Sequence, residues 1–218
     1  MTMPEFKVLS CEDFTEALAS GTPVPGGGAA CAFVGAMATA LGGMVGSLTI
    51  GKPRYEEVSG EVGELKRRAD ALSVKLLSLM DKDAAAFEPL ARAYGLPAET
   101  EEERAEKARV TQDCLRAACT VPLEIMEACC EALDLLDGFA HKGAAIAISD
   151  AGVGLAFAKA ALQGASLNVF INTKAMVDRE YATMINMRAK ALLDTYLSRA
   201  DTRLEEVANR LAQEYGKA

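Results

Sequence analysis

Tryptophan is missing from this 218-residue chain, histidine occurs once, and aromatic residues make up only 6% of it. The six cysteines (Cys11, Cys31, Cys114, Cys119, Cys129 and Cys130) include no C-x-x-C pair, and the lone His141 has no cysteine at zinc-ligand spacing. The usual zinc and dithiol motifs are therefore excluded, and the thiols read as small buried hydrophobes. Basic residues are in deficit, 23 Lys+Arg against 31 Asp+Glu for a net charge of -8, which speaks against a nucleic-acid partner and favours a small-molecule one. No Gly-Lys-Ser/Thr follows the glycine triplet, so there is no Walker sequence. The first residues carry charges early and form no signal-peptide core, which together with unpaired thiols predicts a cytoplasmic protein. No repeat and no Gly/Ser linker divides the chain, so residues 1–218 are expected to form a single domain.

Charge is also absent from Ala17 to Gly51. A run of that length raises the question of a membrane span. Pro23, Pro25 and Gly26-Gly27-Gly28 break its first third, and the remainder is rich in Ala and Gly, so a central helix of a soluble protein is expected and no membrane partner. On that helix Val34, Met37, Leu41, Met44, Val45 and Leu48 form a stripe of large residues at i, i+3, i+4 spacing. Gly35, Thr39, Gly42 and Gly46 fall together on another side, where a second helix from the same chain or another subunit could approach closely. Ala, Leu, Met and Gly supply most of the apolar mass, a balance that favours helices.

The fold class expected is all-α, a bundle of long amphipathic helices that forms a homodimer. A short helix spans Cys11 to Ser20, and a long one runs from Tyr55 to about Tyr94, stopped by Gly95-Leu96-Pro97. The next starts at a possible capping box at Thr100 and reaches Thr120. Pro122 then kinks it or begins a new one through Leu136. Gly138 to Gly143 reads as a loop holding His141 and Lys142, Ser149-Asp150 as a helix start, and Asp178 to Tyr215 as a last long helix. Leu167 to Thr173 has strand-like composition but no obvious partner strand.

Three places carry polar groups that packing does not demand. Asp83 lies within about 60° of Leu65, Leu72, Leu76, Met80, Phe87 and Leu90 on the helical wheel, in the middle of the apolar stripe. Desolvation there raises a carboxyl pKa toward the range useful for general acid/base work, unless a neighbouring helix terminus or a cation holds the charge. Asp81 is turned to the opposite, solvated side. Gly26, Gly27 and Gly28 open the uncharged helix, where bare N–H groups could hold a carboxylate or phosphate, or simply form a tight turn. Asn168 and Asn172 share a helical face and interrupt an apolar run, as Ser149 and Asp150 do; each has a capping or interhelical reading beside the ligand-binding one. Lys52, Arg54 and Lys142 sit at expected helix ends within reach of an anionic ligand tail.

The stretches TPVPGGGAACAFVGAMATALGGMVGSLTIGK, LMDKDAAAFEPLARAYGLP, VPLEIMEAC, SDAGVG and GASLNVFINTKAMVD together resemble the cyclodeaminase/cyclohydrolase family of one-carbon tetrahydrofolate enzymes, in the family's order. The resemblance implies a dimeric all-α bundle with folate sites near the subunit interface. It maps the catalytic carboxylate onto Asp83 and substrate binding onto Gly26, Gly27, Gly28, Ser149, Asp150, Asn168 and Asn172, with Lys52 and Lys142 for the glutamate tail. Gly143-Ala144 departs from the Gly-Asn that many members carry there. A tetrahydrofolate derivative is the implied substrate, and no metal or further cofactor is implied. Two reactions are implied: hydrolysis of 5,10-methenyltetrahydrofolate to 10-formyltetrahydrofolate, and the cyclodeaminase reaction, in which 5-formimidoyltetrahydrofolate closes and releases ammonia. A first motif as early as Thr22 leaves little room for a preceding formimidoyltransferase domain, which favours the first. A folate-binding dimer that has lost catalysis is the third expectation.

Overall fold

Ser10 opens the first helix by accepting a hydrogen bond from the Asp13 N–H at 3.0 Å, and six α-helices follow one another in the computed structural model, which describes residues 5–215. They are α1 (Cys11–Ala19), α2 (Gly27–Thr49), α3 (Ser59–Tyr94), α4 (Glu101–Lys142), α5 (Ile148–Lys174) and α6 (Arg179–Tyr215), with short 3-10 turns at Phe6–Val8, Pro53–Val58 and Ala145–Ala147. No strand occurs among the described residues. The expected all-α bundle is what the chain forms.

The uncharged α2 is the centre of the bundle, packed against α3, α4 and α5, while α6 covers α4 and α5 from outside. Of the two partners open to the small-residue face of α2, the same chain supplies the one seen here. Gly35, Thr39, Gly42 and Gly46 are buried inside the chain itself. A Cβ on Gly42 would lie 2.9 Å from the Phe139 ring, and one on Gly35 3.2 Å from Leu76. The close helix partners are thus α3 and α4 of the same chain. Met44 and Leu48 point outward instead. α5 runs antiparallel to α2, with Gly27 beside Asn168, Gly164 against Cys31, and Gly154 against Ala38. At its other end α2 is tied to the α4–α5 corner, where the Ala144 N–H donates to Thr49 Oγ1 at 2.8 Å. The α2 and α5 segments are each long and apolar enough to cross a membrane, yet half of each is buried within this bundle.

Three local expectations give way to tertiary contacts. α4 does not stop at Thr120 or restart at Pro122 but continues to Lys142. The segment expected as a loop at Gly138 to Gly143 is helical as far as Lys142, because Gly138 lets α3 come close: a Cβ there would meet Leu65 at 2.8 Å. Leu167 to Thr173 is the last part of α5, with Val169 and Thr173 buried on its inner side. The β-branched content of that segment is overridden by burial of a helical face. The capping box at Thr100 forms as expected, with Glu103 returning the bond.

Candidate functional site

α2 starts without a side-chain cap. Gly26 is its N-cap in extended conformation, and the first intrahelical bond is that from the Ala30 N–H to the Gly26 carbonyl. The N–H groups of Gly27, Gly28 and Ala29 therefore need acceptors from elsewhere, and the positive end of the helix dipole lies there. Asp83, reaching across from the middle of α3, occupies this position. A Cβ on Gly28 would fall 2.2–2.4 Å from Oδ1, Oδ2 and Cγ of Asp83, so the carboxylate rests directly on bare backbone. Burial pushes the Asp83 carboxyl up to about 6, opposed by the Ala29 N–H, which favours the charged form. The two readings of Asp83, desolvated acid and partner of a helix terminus, are both realised.

The opposite wall is α5. Asn168 lies over Gly27, where a Cβ would stand 3.4 Å from its Oδ1. Its amide nitrogen donates to the Gly164 carbonyl at 3.1 Å. Asn172, one turn further, donates to the Ala118 carbonyl of α4 at 3.0 Å. Between the walls is a cavity of about 140 Å³ bounded also by Pro23, Val24, Phe87, Pro122 and Ile171. Six of the ten residues expected at the site, Gly26, Gly27, Gly28, Asp83, Asn168 and Asn172, line this one cavity.

The model of the family described as formiminotransferase-cyclodeaminase matches residues 10–191. The chain is 43% identical over 171 residues to the methenyltetrahydrofolate cyclohydrolase of Methylorubrum extorquens, covering 78% of this chain and 82% of that one. It belongs to the formiminotransferase-cyclodeaminase family. The mouse formimidoyltransferase-cyclodeaminase is 34% identical over 192 residues, 87% of this chain but only 36% of the mouse protein. The crystal structure of formiminotetrahydrofolate cyclodeaminase from Thermotoga maritima superposes with a TM-score of 0.77 at 29% identity, covering 93% of this chain and 98% of that one.

The other four expected residues of this family member lie at the far end of the bundle. Asp150 is eighteen residues before Asn168 on α5, about 27 Å along the helix axis. Ser149 is exposed and does not cap α5, which begins one residue earlier. Lys142 is ion-paired with Glu61. Lys52 is exposed beside Glu56 and Ser59 in a separate shallow depression. Asp81 also departs from its expected place in solvent: its Oδ1 accepts from the Phe6 N–H at 2.6 Å, and its Oδ2 lies 3.3 Å from Lys7 Nζ. It fastens the N-terminal turn, whose Phe6 is buried, to α3.

Phe87, Pro122 and Ile171 also line the cavity, outside the residues expected there. Pro122, a proline inside a helix, was the one with a legible signal. A wider cleft of about 230 Å³ between α4, α5 and α6 carries Asp137, Tyr196, Arg199 and Arg203. Arg203 is paired with Asp137, and Tyr196 and Arg199 with Asp134, so its charges are already committed to one another. Cys119, Cys129 and Cys130 are buried as hydrophobes, Cys31 and Cys114 are half-buried, and Cys11 departs from the expectation by lying exposed. Burial pushes Cys31 and Cys119 up to about 11 and Cys130 to about 12, which keeps these three protonated.

Proposed function

We propose that this protein hydrolyses 5,10-methenyltetrahydrofolate to 10-formyltetrahydrofolate, with Asp83 moving the proton. The observation that carries this reading is a carboxyl with a pKa of about 6 held on the bare N-terminus of α2, inside a cavity. A group of that strength is mostly ionised at neutral pH, and its conjugate acid still gives up a proton readily. Water adds to the methenyl carbon as its proton passes to Asp83, leaving a tetrahedral carbon bonded to oxygen, N5 and N10. The C–N5 bond then breaks, N5 takes the proton from Asp83, and loss of the hydroxyl proton to solvent leaves the formyl group on N10. Walls from α2 and α5 flank the carboxylate and keep this transfer local.

The extent and identity of the match to the Methylorubrum cyclohydrolase support hydrolysis. The full-length likeness to the Thermotoga cyclodeaminase supports a second reading. In that reaction N10 attacks the formimidoyl carbon, Asp83 takes the N10 proton and passes it to the amino group, and the bond from the carbon to that nitrogen breaks as ammonia leaves. Loss of methenyltetrahydrofolate absorbance, measured beside ammonia release from the formimidoyl compound, separates the two; turnover of neither overturns both.

A homodimer is part of this reading. The outer faces of α2 and α5 form one apolar surface through Met44, Leu48, Val153, Phe157, Leu167 and Ile171, each exposed by a third to two thirds. The only charge between Asp150 and Lys174 on α5 is Lys159, which is turned away to Asp201 on α6. A two-fold axis near the middle of the antiparallel α2–α5 pair would set the Lys52, Ser149 and Asp150 end of one subunit beside the Asp83 cleft of the other. A cavity of about 140 Å³ holds only the reacting part of a folate, since a site enclosing a ligand of that size measures about 300–1,000 Å³. The remainder would lie across this surface, with Lys52 placed for its glutamate tail. The enzyme so described is cytoplasmic and needs no cofactor beyond its folate substrate.

A further inference from the structure

Two prolines stand inside long helices, and each removes the N–H that the carbonyl four residues earlier would have used. Pro89 in α3 deprives Ala85, but both residues are exposed and water can serve that carbonyl. Pro122 in α4 deprives Ala118, which is 3% exposed. A buried carbonyl without a donor is costly. The donor that reaches it is Nδ2 of Asn172, at 3.0 Å from another helix.

From this geometry we infer that Pro122 is a positioning residue for the site: by orphaning the Ala118 carbonyl it fixes the orientation of the Asn172 amide. Only the nitrogen of an amide can donate to a carbonyl, so this bond decides which end of Asn172 faces the cavity. The oxygen is left there. Asn172 is only 6% exposed and lines the cavity, and among the described residues no donor reaches that oxygen. The Asn168 nitrogen is also engaged, by the Gly164 carbonyl one turn back on α5 itself. The α5 wall therefore offers acceptors, while on the α2 side the Asp83 carboxylate rests on the N–H groups of the helix start. Resting on the folate reading above, this arrangement selects for a ligand edge that carries N–H donors toward α5, as the 2-amino and N3–H groups of a reduced pterin do.

The link is tested by a thermodynamic cycle and by kinetics. Pro122→Val keeps the bulk of the cavity wall and returns an N–H to the Ala118 carbonyl. Asn172→Ala in the wild-type background should lower Tm by about 4–8 °C, because it strands a buried carbonyl. In the Pro122→Val background the same change should lower Tm far less. Pro122→Val alone should not lose stability, yet should raise KM by about threefold to tenfold with kcat little changed, since the amide is free to turn its nitrogen inward. A purely structural proline would move Tm and leave KM alone. Equal Tm losses from Asn172→Ala in both backgrounds, or an unchanged KM in Pro122→Val, would overturn the inference. The Tm cycle needs no substrate, so wild-type protein inactive on both folates defeats the functional reading, while the cycle judges the Pro122–Asn172 link separately.

Discussion

Asp83 is held at a cost. Folding raises its carboxyl from 3.8 to about 6, so the native state binds more protons than the unfolded chain between those values. The stability tied to that proton is present below about pH 4 and is lost as pH rises through about 6. Asp83→Asn keeps an acceptor for the Ala29 N–H and removes the desolvated charge. It should stabilise the protein at pH 7.5 by up to about 3 kcal/mol, an advantage that fades below pH 4 in thermal melts across pH. The same variant should lose about a hundred- to ten-thousand-fold in kcat. In the wild type kcat/KM should rise with pH through about 6 and then level off. Asp81→Asn, which touches only the N-terminal turn, should keep kcat within a few-fold. The neighbouring glycines make a sharper contrast. Gly28→Ala drives a methyl group into the Asp83 carboxylate and should abolish turnover, whereas Gly27→Ala meets only Asn168 at ordinary contact distance and should retain a measurable rate; paired assays of the two variants decide it.

At the level of whole helices, the small-residue face of α2 belongs to the chain's own core. Gly42→Leu should therefore cost folding rather than merely association, at least about 1–3 kcal/mol from overpacking against Phe139 and Leu136. Urea unfolding of the variant measures it, and an unchanged midpoint would refute the packing. Helix α2, the α3 stripe with Asp83 at its centre, and the Thr100 cap were legible in the sequence because each is a local pattern of 3.6-residue period or cap spacing. The run of α4 through Pro122 and Gly138 was not. Proline and glycine signal a break locally, and what cancels them here is distant: Asn172 serves the orphaned carbonyl, and Leu65 fills the space beside Gly138. The strand-like LNVFINT misled for the same reason. Which site residues share a cavity was also beyond the sequence, since that depends on the antiparallel pairing of α2 with α5.

For the molecule as a whole, the reading of a homodimer through the α2–α5 surface makes Met44 informative. It is 43% exposed in one subunit, and Met44→Glu would place a charge in the proposed interface without touching the chain's own core. The variant should elute as a monomer, keep its helical circular dichroism, and lose activity if the far end of a second subunit completes the site. Elution of wild-type protein as an active monomer would remove this proposal. Lys52→Ala should then raise KM more for polyglutamates than for the monoglutamate, although an exposed pair contributes only about 1 kcal/mol or less. Equal effects on both substrates would argue against tail binding.

The pairing of α2 with α5 also sets an order of events during synthesis. The cavity needs Gly28, Asp83, Ala118 and Asn172 together, so nothing resembling it exists until most of the chain has been made. At about 5–20 residues per second, the uncharged α2 waits roughly 6–25 s for the helix that covers it. For that interval its apolar length has only α3 and the growing α4 for shelter. The nascent chain is then most exposed to aggregation and in most need of a chaperone, and a pause placed after α5 would be harmless where one placed before it would not.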